Sequence, residues 1–195
     1  MSKSSCIETI KIQDGRPLNI EWHNQRYHRT LREYYGIDRN SNLQEFITNP
    51  PSDGVFRCRI TYHHEIQSVE YLPYHAKKFQ HFKLIHSDID YTYKYSNRQA
   101  LDQLKSQASS YDEIIIVKNN LLTDTSIANI AFWDQGVWIT PKKPLLKGTM
   151  RAKLLKKGFL VKKDIKSESL KHFSHFALMN AMIGFEVQKN PTIDS

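Results

Sequence analysis

Two cysteines among 195 residues, Cys6 and Cys58, are too few for a disulfide framework and carry no metal-ligand spacing. A reduced, cytoplasmic setting is the expectation that follows. No run of apolar residues is long enough for a transmembrane helix, and Met1–Ser5 is polar with no apolar run behind it, so neither a membrane partner nor a signal peptide is expected. No internal repeat and no low-complexity segment is present, which sets aside solenoid and disordered classes. Histidines occur at 63, 64, 75, 81 and 86, yet no His-Glu-x-x-His pattern or carboxylate at ligand spacing accompanies them. They read as strand-surface residues, and no metal site is expected.

Charge is the one bulk property out of balance: 28 Lys+Arg against 20 Asp+Glu, giving a pI near 9.4. Such an excess suits nucleic acid only when it is clustered and joined to a recognition motif. Here it is dispersed apart from Lys142-Lys143 and the 153–163 segment, and no such motif exists, so an anionic small molecule is the better match. The chain is long enough to bury a core as one domain or two small ones.

The densest chemistry lies between Glu113 and Arg151. Ile114–Val117 is an apolar run ending at Asn119-Asn120, a buried strand and turn. Residues 121–133 carry Thr123, Asp124, Thr125, Ser126 and Asn129 where a purely structural strand would carry Val or Ile. Asp134-Gln135-Gly136 predicts a hairpin turn and Val137–Thr140 the returning strand. Gly148-Thr149-Met150-Arg151 opens a helix expected to end at Lys157 before Gly158. A helix start has unpaired N–H groups and partial positive charge, so it suits an anion; on the helix alone, however, an ordinary terminus capped by Thr149 is the favoured reading, since most helix starts bind nothing.

Before this stretch, Cys6–Ile12 predicts a strand, with Leu18–Glu21 pairing back across Asp14-Gly15. Residues 23–35 predict a helix ending at Gly36, and Ser41–Ile47 a shorter one. Phe56–Tyr62 alternates between polar and apolar, and Ile66–Tyr71 is its expected hairpin partner; Phe82–Ile85 would continue that sheet. Ser96 is the expected cap of a helix carrying Leu101, Leu104 and Ala108. Ser167–Phe173 predicts a short helix, and 176–187 an apolar strand-like segment broken at Asn180 and Gly184.

These segments together resemble the pyridoxal-phosphate (PLP) enzymes of fold type IV, the class IV aminotransferase family, which includes branched-chain and D-amino-acid aminotransferases and 4-amino-4-deoxychorismate lyase. The resemblance is carried by Asp124, Thr125-Ser126-Ile127-Ala128, Asn129-Ile130-Ala131-Phe132, Thr140-Pro141 and Gly148-Thr149-Met150-Arg151, in family order and spacing. Lys94-Tyr95-Ser96-Asn97-Arg98 has the Lys-x-x-Asn-Arg form most similar to the lyase, and His23-Asn24-Gln25-Arg26 resembles the family's His-x-x-Arg.

The resemblance implies a two-domain α/β (α+β) fold, with a small N-terminal α/β domain over 1–88. The C-terminal domain over 89–195 would carry a β-barrel-like sheet, with PLP at the junction. It implies Lys94 as the Schiff-base lysine, Asp124 facing the pyridine nitrogen, and phosphate contacts from Arg26, the N–H groups of Thr149 and Met150, and the turn at Asn180. A homodimer acting on an amino-acid-like small molecule is implied as well. The implied activity is lyase chemistry releasing pyruvate and 4-aminobenzoate; aminotransfer and a catalytically idle, binding role are the alternatives. Two departures stand out: Asp124 replaces the usual Glu, and the chain begins almost directly at Ile7-Glu8-Thr9, which resembles the family's Phe-Glu-Thr element.

Overall fold

The computed structural model describes residues 3–194. Its contacts divide them into two compact units. One runs to Ala76 and takes in Tyr93–Asn97; the other comprises Lys77–Thr92 and the chain from Arg98 onward. The compact units therefore do not follow a single cut after residue 88.

In the first unit, β1 (Cys6–Gln13), β2 (Arg16–Pro17), β3 (Val55–Tyr62) and β4 (Ile66–Pro73) form an antiparallel sheet in the order β2-β1-β3-β4. Arg16 and Pro17 pair back onto β1, and the Leu18 N–H still donates to the Lys11 carbonyl, but α1 (Ile20–Thr30) has begun by Ile20; half of the strand expected over 18–21 is thus helix. The helix continues as a π-helical turn, Leu31–Tyr35, and stops at Gly36, whose φ of 75° is the left-handed value that favours glycine. Alternation sends Ile10 and Ile12 of β1, and Cys58, Ile60 and Tyr62 of β3, toward one core, closed by Tyr27, Leu31 and Tyr35. Glu8 sits in the same inward register and is fully buried. A carboxylate at a core position of an alternating strand must find partners, and it does.

Residues 93–97 lie along β1. Cys6 bridges Tyr95 in antiparallel fashion, the Ile7 N–H donates to the Lys94 carbonyl at 2.8 Å, and the Ser96 N–H donates to the Ser5 carbonyl at 2.9 Å. Tyr93 and Tyr95 pack on Tyr34, which anchors the segment sideways.

The second unit holds, among the described residues, a nine-stranded sheet. It consists of β5 (His81–His86), β6 (Glu113–Lys118), β7 (Leu121–Thr125), β8 (Asn129–Asp134), β9 (Val137–Pro141), β10 (Leu160–Lys163), β11 (Phe176–Asn180), β12 (Gly184–Val187) and β13 (Thr192–Asp194). The main path is β10-β9-β8-β7-β6-β5-β13, with β11 joining β8 and β12. β5 is a strand as expected, but its sheet differs: it pairs in parallel with β6 and β13, not with β4. Parallel partners lie far along the chain, and local pattern does not announce them.

β6 is buried from Glu113 to Val117, as a central strand with both faces covered must be. One face of the sheet packs Phe82, Ile115, Val117, Ile130, Phe132, Phe176 and Leu178. Across it, Ala131, Ala177 and Met179 receive Met150, Leu154 and Leu155 of α3 (Thr149–Lys156). The two alanines let the helix lie close to the sheet. The β8–β9 hairpin turns at Gln135-Gly136, both with positive φ, as a two-residue hairpin requires. Helix α2 (Gln99–Ser106) starts two residues later than a Ser96 cap would place it, with Arg98 at the cap position. The expected helix near 167 is a 3-10 turn, Ser167–His172, with Lys166 at the cap position. Among the described residues no helix is long and apolar enough to cross a membrane.

Candidate functional site

In the first unit the chemistry gathers around Glu8. Its carboxylate accepts Nε of Arg26 at 2.7 Å (Oε1) and Nη2 of Arg26 at 2.6 Å (Oε2), and Oε2 also meets Nδ1 of His23 at 2.6 Å. All three side chains are buried. Arg26 and His23 lie three residues apart on α1, so both reach the same strand position. Burial would raise the Glu8 pKa, but the Arg26 guanidinium, together with bonds from His23 and Arg26, outweighs it and holds the acid down at about 2. An ionised carboxylate can only accept, so Nδ1 of His23 carries the hydrogen. Burial lowers the His23 pKa; Glu8 opposes this, while the charges of Arg26 and Lys94 reinforce it. Neutral His23 therefore presents a bare Nε2, which is buried and has no hydrogen-bond partner among the described residues. Leaving such an acceptor unsatisfied costs about 1–3 kcal/mol.

Thus the structure brings two of the predicted residues, Arg26 and Lys94, into one neighbourhood. It adds Glu8 and His23, whose roles the sequence reading left unassigned. The available signal for Glu8 was its register among Cys6, Ile10 and Ile12. Glu8 clamps Arg26 through Nε and Nη2, which fixes the plane of the fork.

The second unit holds the other predicted residues. Asp124 is the last residue but one of β7 and pairs with Asn129 of β8. Its Oδ1 accepts Nδ2 of Asn129 at 2.7 Å, and its Oδ2 accepts the Leu146 N–H at 2.8 Å. The same Nδ2 donates to the Leu146 carbonyl at 2.8 Å, so one carboxamide ties two strands and the loop before α3 together. Burial pushes the Asp124 pKa up to about 7, against the pull of the Leu146 and Asn129 bonds and the Arg151 charge. Arg151 supplies that charge at a distance, for its Nη2 donates to the Pro141 carbonyl at 2.7 Å and its Nε to Oγ1 of Thr140 at 3.4 Å. Asp124 is a buried acid that lacks a cationic hydrogen-bond partner among the described residues.

Gly148 sits at the cap of α3 with φ −67° and ψ 152°, angles open to any residue. What requires glycine is proximity: a Cβ there would stand 2.0 Å from Oδ1 of Asn129. Thr149 and Met150 follow as the first helical residues, and first-turn N–H groups have no intrahelical acceptor.

Asn180 ends β11, where its Oδ1 accepts the N–H groups of Met182 and Ile183 and its Nδ2 donates to the Ile127 carbonyl at 3.3 Å. The side chain therefore shapes the turn, as an Asx residue does. Arg98 of the Lys-x-x-Asn-Arg motif donates to the Ser126 carbonyl at 2.9 Å, joining that motif to the Thr-Ser-Ile-Ala run. His63 and His64 meet edge-on, and both rings lie against Tyr35 at steep angles.

Comparison with known proteins reaches the same two motif regions. The model of the family described as amino-transferase class IV matches residues 5–187. An uncharacterised protein of Haemophilus influenzae is 38% identical over 183 residues, 91% of this chain and 97% of the relative. A crystal structure of a Haemophilus somnus protein, named as a candidate 4-amino-4-deoxychorismate lyase, is 37% identical. It superposes with a TM-score of 0.86 over 94% of this chain and 99% of its own. The PLP-bound form of a hypothetical aminotransferase from Mycobacterium tuberculosis shares the fold at 14% identity, with a TM-score of 0.77 over 97% of this chain and 81% of its own. The mixed α/β architecture with its two sheets is that of fold type IV. The chain belongs to the amino-transferase class IV family of PLP-dependent aminotransferases and lyases.

Proposed function

We propose that this protein is a PLP-dependent lyase of the 4-amino-4-deoxychorismate lyase type, with Lys94 as its reactive amine. The observation that carries the reading is the buried Asp124. Its carboxylate is aligned by Asn129 and Leu146 and raised by burial, and a protonated ring nitrogen is the partner such an acid suits. PLP suits the chemistry of these donors, taken unit by unit: Lys94 for the aldehyde and Arg26 for the phosphate in the first, Asp124 for the pyridine nitrogen and the Thr149 and Met150 N–H groups for the phosphate in the second. The Asn180 turn is a further candidate contact. When bound, PLP supplies an electron sink for carbanion chemistry at the substrate's α carbon.

The chain's own groups then have distinct tasks. Asp124 holds a proton on the ring nitrogen, a task its shorter side chain meets because Asn129 and Leu146 fix the carboxylate in place. Arg26, held flat by Glu8, binds phosphate oxygens as a fork. The Lys94 amine moves a proton at the α carbon. Lyase chemistry is favoured over aminotransfer by the Lys-x-x-Asn-Arg form at 94–98 and by the 37% identity to the Haemophilus somnus candidate lyase. A homodimer acting in the cytoplasm on an amino-acid-like substrate completes the reading.

The test is direct. Protein mixed with PLP should develop a visible absorption band that borohydride reduction fixes onto Lys94, and Lys94→Ala should lose it. Pyruvate release from aminodeoxychorismate establishes the lyase; amino transfer to a 2-oxo acid without pyruvate release assigns the aminotransferase instead. A preparation that never binds PLP defeats both.

A further inference from the structure

The Arg26–Glu8–His23 chain has an open end. Arg26 and His23 both bond Glu8, yet Nε2 of His23 is enclosed and has no hydrogen-bond partner among the described residues. A merely structural histidine would turn its second nitrogen to solvent or to a backbone group. We infer that His23 is a positioning residue for the phosphate group, and that binding of a dianionic phosphoester at Arg26 brings a proton onto Nε2 of His23. This rests on the reading of Arg26 as the phosphate ligand.

The charges around the ring decide the direction. Glu8 from β1 favours the imidazolium; Arg26 from α1 and Lys94 from the 93–97 segment oppose it. Tyr62 of β3, near Glu8, is kept neutral by burial, and so is the thiol of Cys6. Without an anion the two cations and the desolvation of the ring prevail, and His23 stays neutral. A phosphate dianion brings two negative charges to the Arg26 end and offsets both cations, while the fixed Nδ1–H bond to Glu8 keeps the ring in place. The proton comes from solvent, and Nε2–H then becomes a donor instead of an unsatisfied acceptor. The tautomer set by Glu8 is what leaves Nε2, rather than Nδ1, as the atom that changes state.

The consequence is linkage. The complex holds one more proton than its free components, so affinity for the dianion is greatest at low pH. It weakens by up to about tenfold per pH unit as pH rises through the pKa of His23 in the complex. Phosphate monoesters are themselves largely dianionic above a pKa of about 6, so the ligand adds little of its own in that window.

Pyridoxine 5′-phosphate, which has an alcohol where PLP has an aldehyde, tests this without engaging the Lys94 amine. Nitrogen-15 NMR of histidine-labelled protein at about pH 7.5 should show His23 as the neutral Nδ1–H form when free and as imidazolium when the ligand is saturating. His23→Asn, which retains a donor toward Glu8, identifies the signal by its loss and should flatten the pH dependence of the ligand's Kd. Saturation with Nε2 still bare overturns the inference and leaves the proposed function standing. Failure of the phosphoester to bind at all removes both.

Discussion

Replacing Gly148 with alanine should disable the Asp124 cluster through one steric contact, and its size can be worked out. The backbone at 148 is compatible with alanine, so no strain in φ or ψ enters. A Cβ 2.0 Å from Oδ1 of Asn129 cannot be accommodated, and the carboxamide must withdraw. Two bonds from its Nδ2 are lost, one to the Asp124 carboxylate and one to the Leu146 carbonyl. At about pH 8, where most of Asp124 is ionised, a hydrogen bond to that charged group contributes about 1.5–3 kcal/mol and a neutral one about 1. Against this, alanine restricts the unfolded chain and returns about 0.4–1 kcal/mol. The net loss is about 2–3 kcal/mol, or a fall in Tm of roughly 5–10 °C for a chain of this length. Trp133 and Trp138 sit on β8 and β9, so in a Trp22→Phe background urea unfolding read by tryptophan fluorescence reports this unit.

The decisive arm is the double mutant. Asn129→Ala alone should cost about as much as Gly148→Ala, because it forfeits the same bonds. Once Asn129 is gone the new methyl has room, and adding Gly148→Ala should change stability by less than about 1 kcal/mol. A coupling of about 2–3 kcal/mol is the signature of residues in one network. Additive losses would refute the argument and show that Gly148 serves something other than the approach of Asn129.

Glu8 is held at about pKa 2 and so stabilises the fold above its unfolded value near 4.5. That contribution of about 3 kcal/mol should disappear as pH falls toward 2, and acid unfolding of Glu8→Gln should lack it. At neutral pH the same variant strands the Arg26 charge and should lose about 3–5 kcal/mol in urea titrations. Asp124 is shifted the other way. Its neutral form fits the buried site, so stability should decline by up to about 4 kcal/mol as pH rises from about 4 through 7 in cofactor-free protein, and Asp124→Asn should flatten that slope. Adding PLP should restore stability to the natural protein at pH 8 more than to Asp124→Asn, measured as a Tm difference.

Much of the local architecture was legible because it is written in short-range chemistry. Gln135-Gly136 supplies two left-handed residues where a tight hairpin needs them, Gly158 ends the helix begun at Gly148, and the alternation of 56–62 gives β3 its two faces. Errors arose where the deciding partner is distant. Phe82–Ile85 has a strand's composition in either sheet; what assigns it is parallel pairing with β6, about thirty residues on, across an intervening helix. Leu18–Glu21 and Ser96 failed for a different reason. Each offers a plausible local signal, and tertiary packing of α1 and of the 93–97 segment on β1 outweighed it.

The site divides along the same line. Asp124, Asn129, Gly148 and Thr149 were visible as a motif, and the geometry explains the spacing: Asn129 must stand opposite Asp124 across one strand turn, and Gly148 must be bare where Asn129 arrives. The importance of Glu8 was hidden, since its partners are 15 and 18 residues away and belong to a helix that sequence alone does not dock. Yet the strand pattern held the clue. Isoleucines at 10 and 12 and cysteine at 6 commit that face to the interior, and an acid at 8 is then affordable only if cations are brought to it. Arg26 and His23, three apart on one helix face, are the pair that can arrive together. A buried acid in an apolar register therefore predicts a basic pair at helical spacing elsewhere in the chain; His23–Arg26, Arg26–Arg29 and Arg29–Arg32 all have that spacing, and the docking of α1 on β1 selects the first.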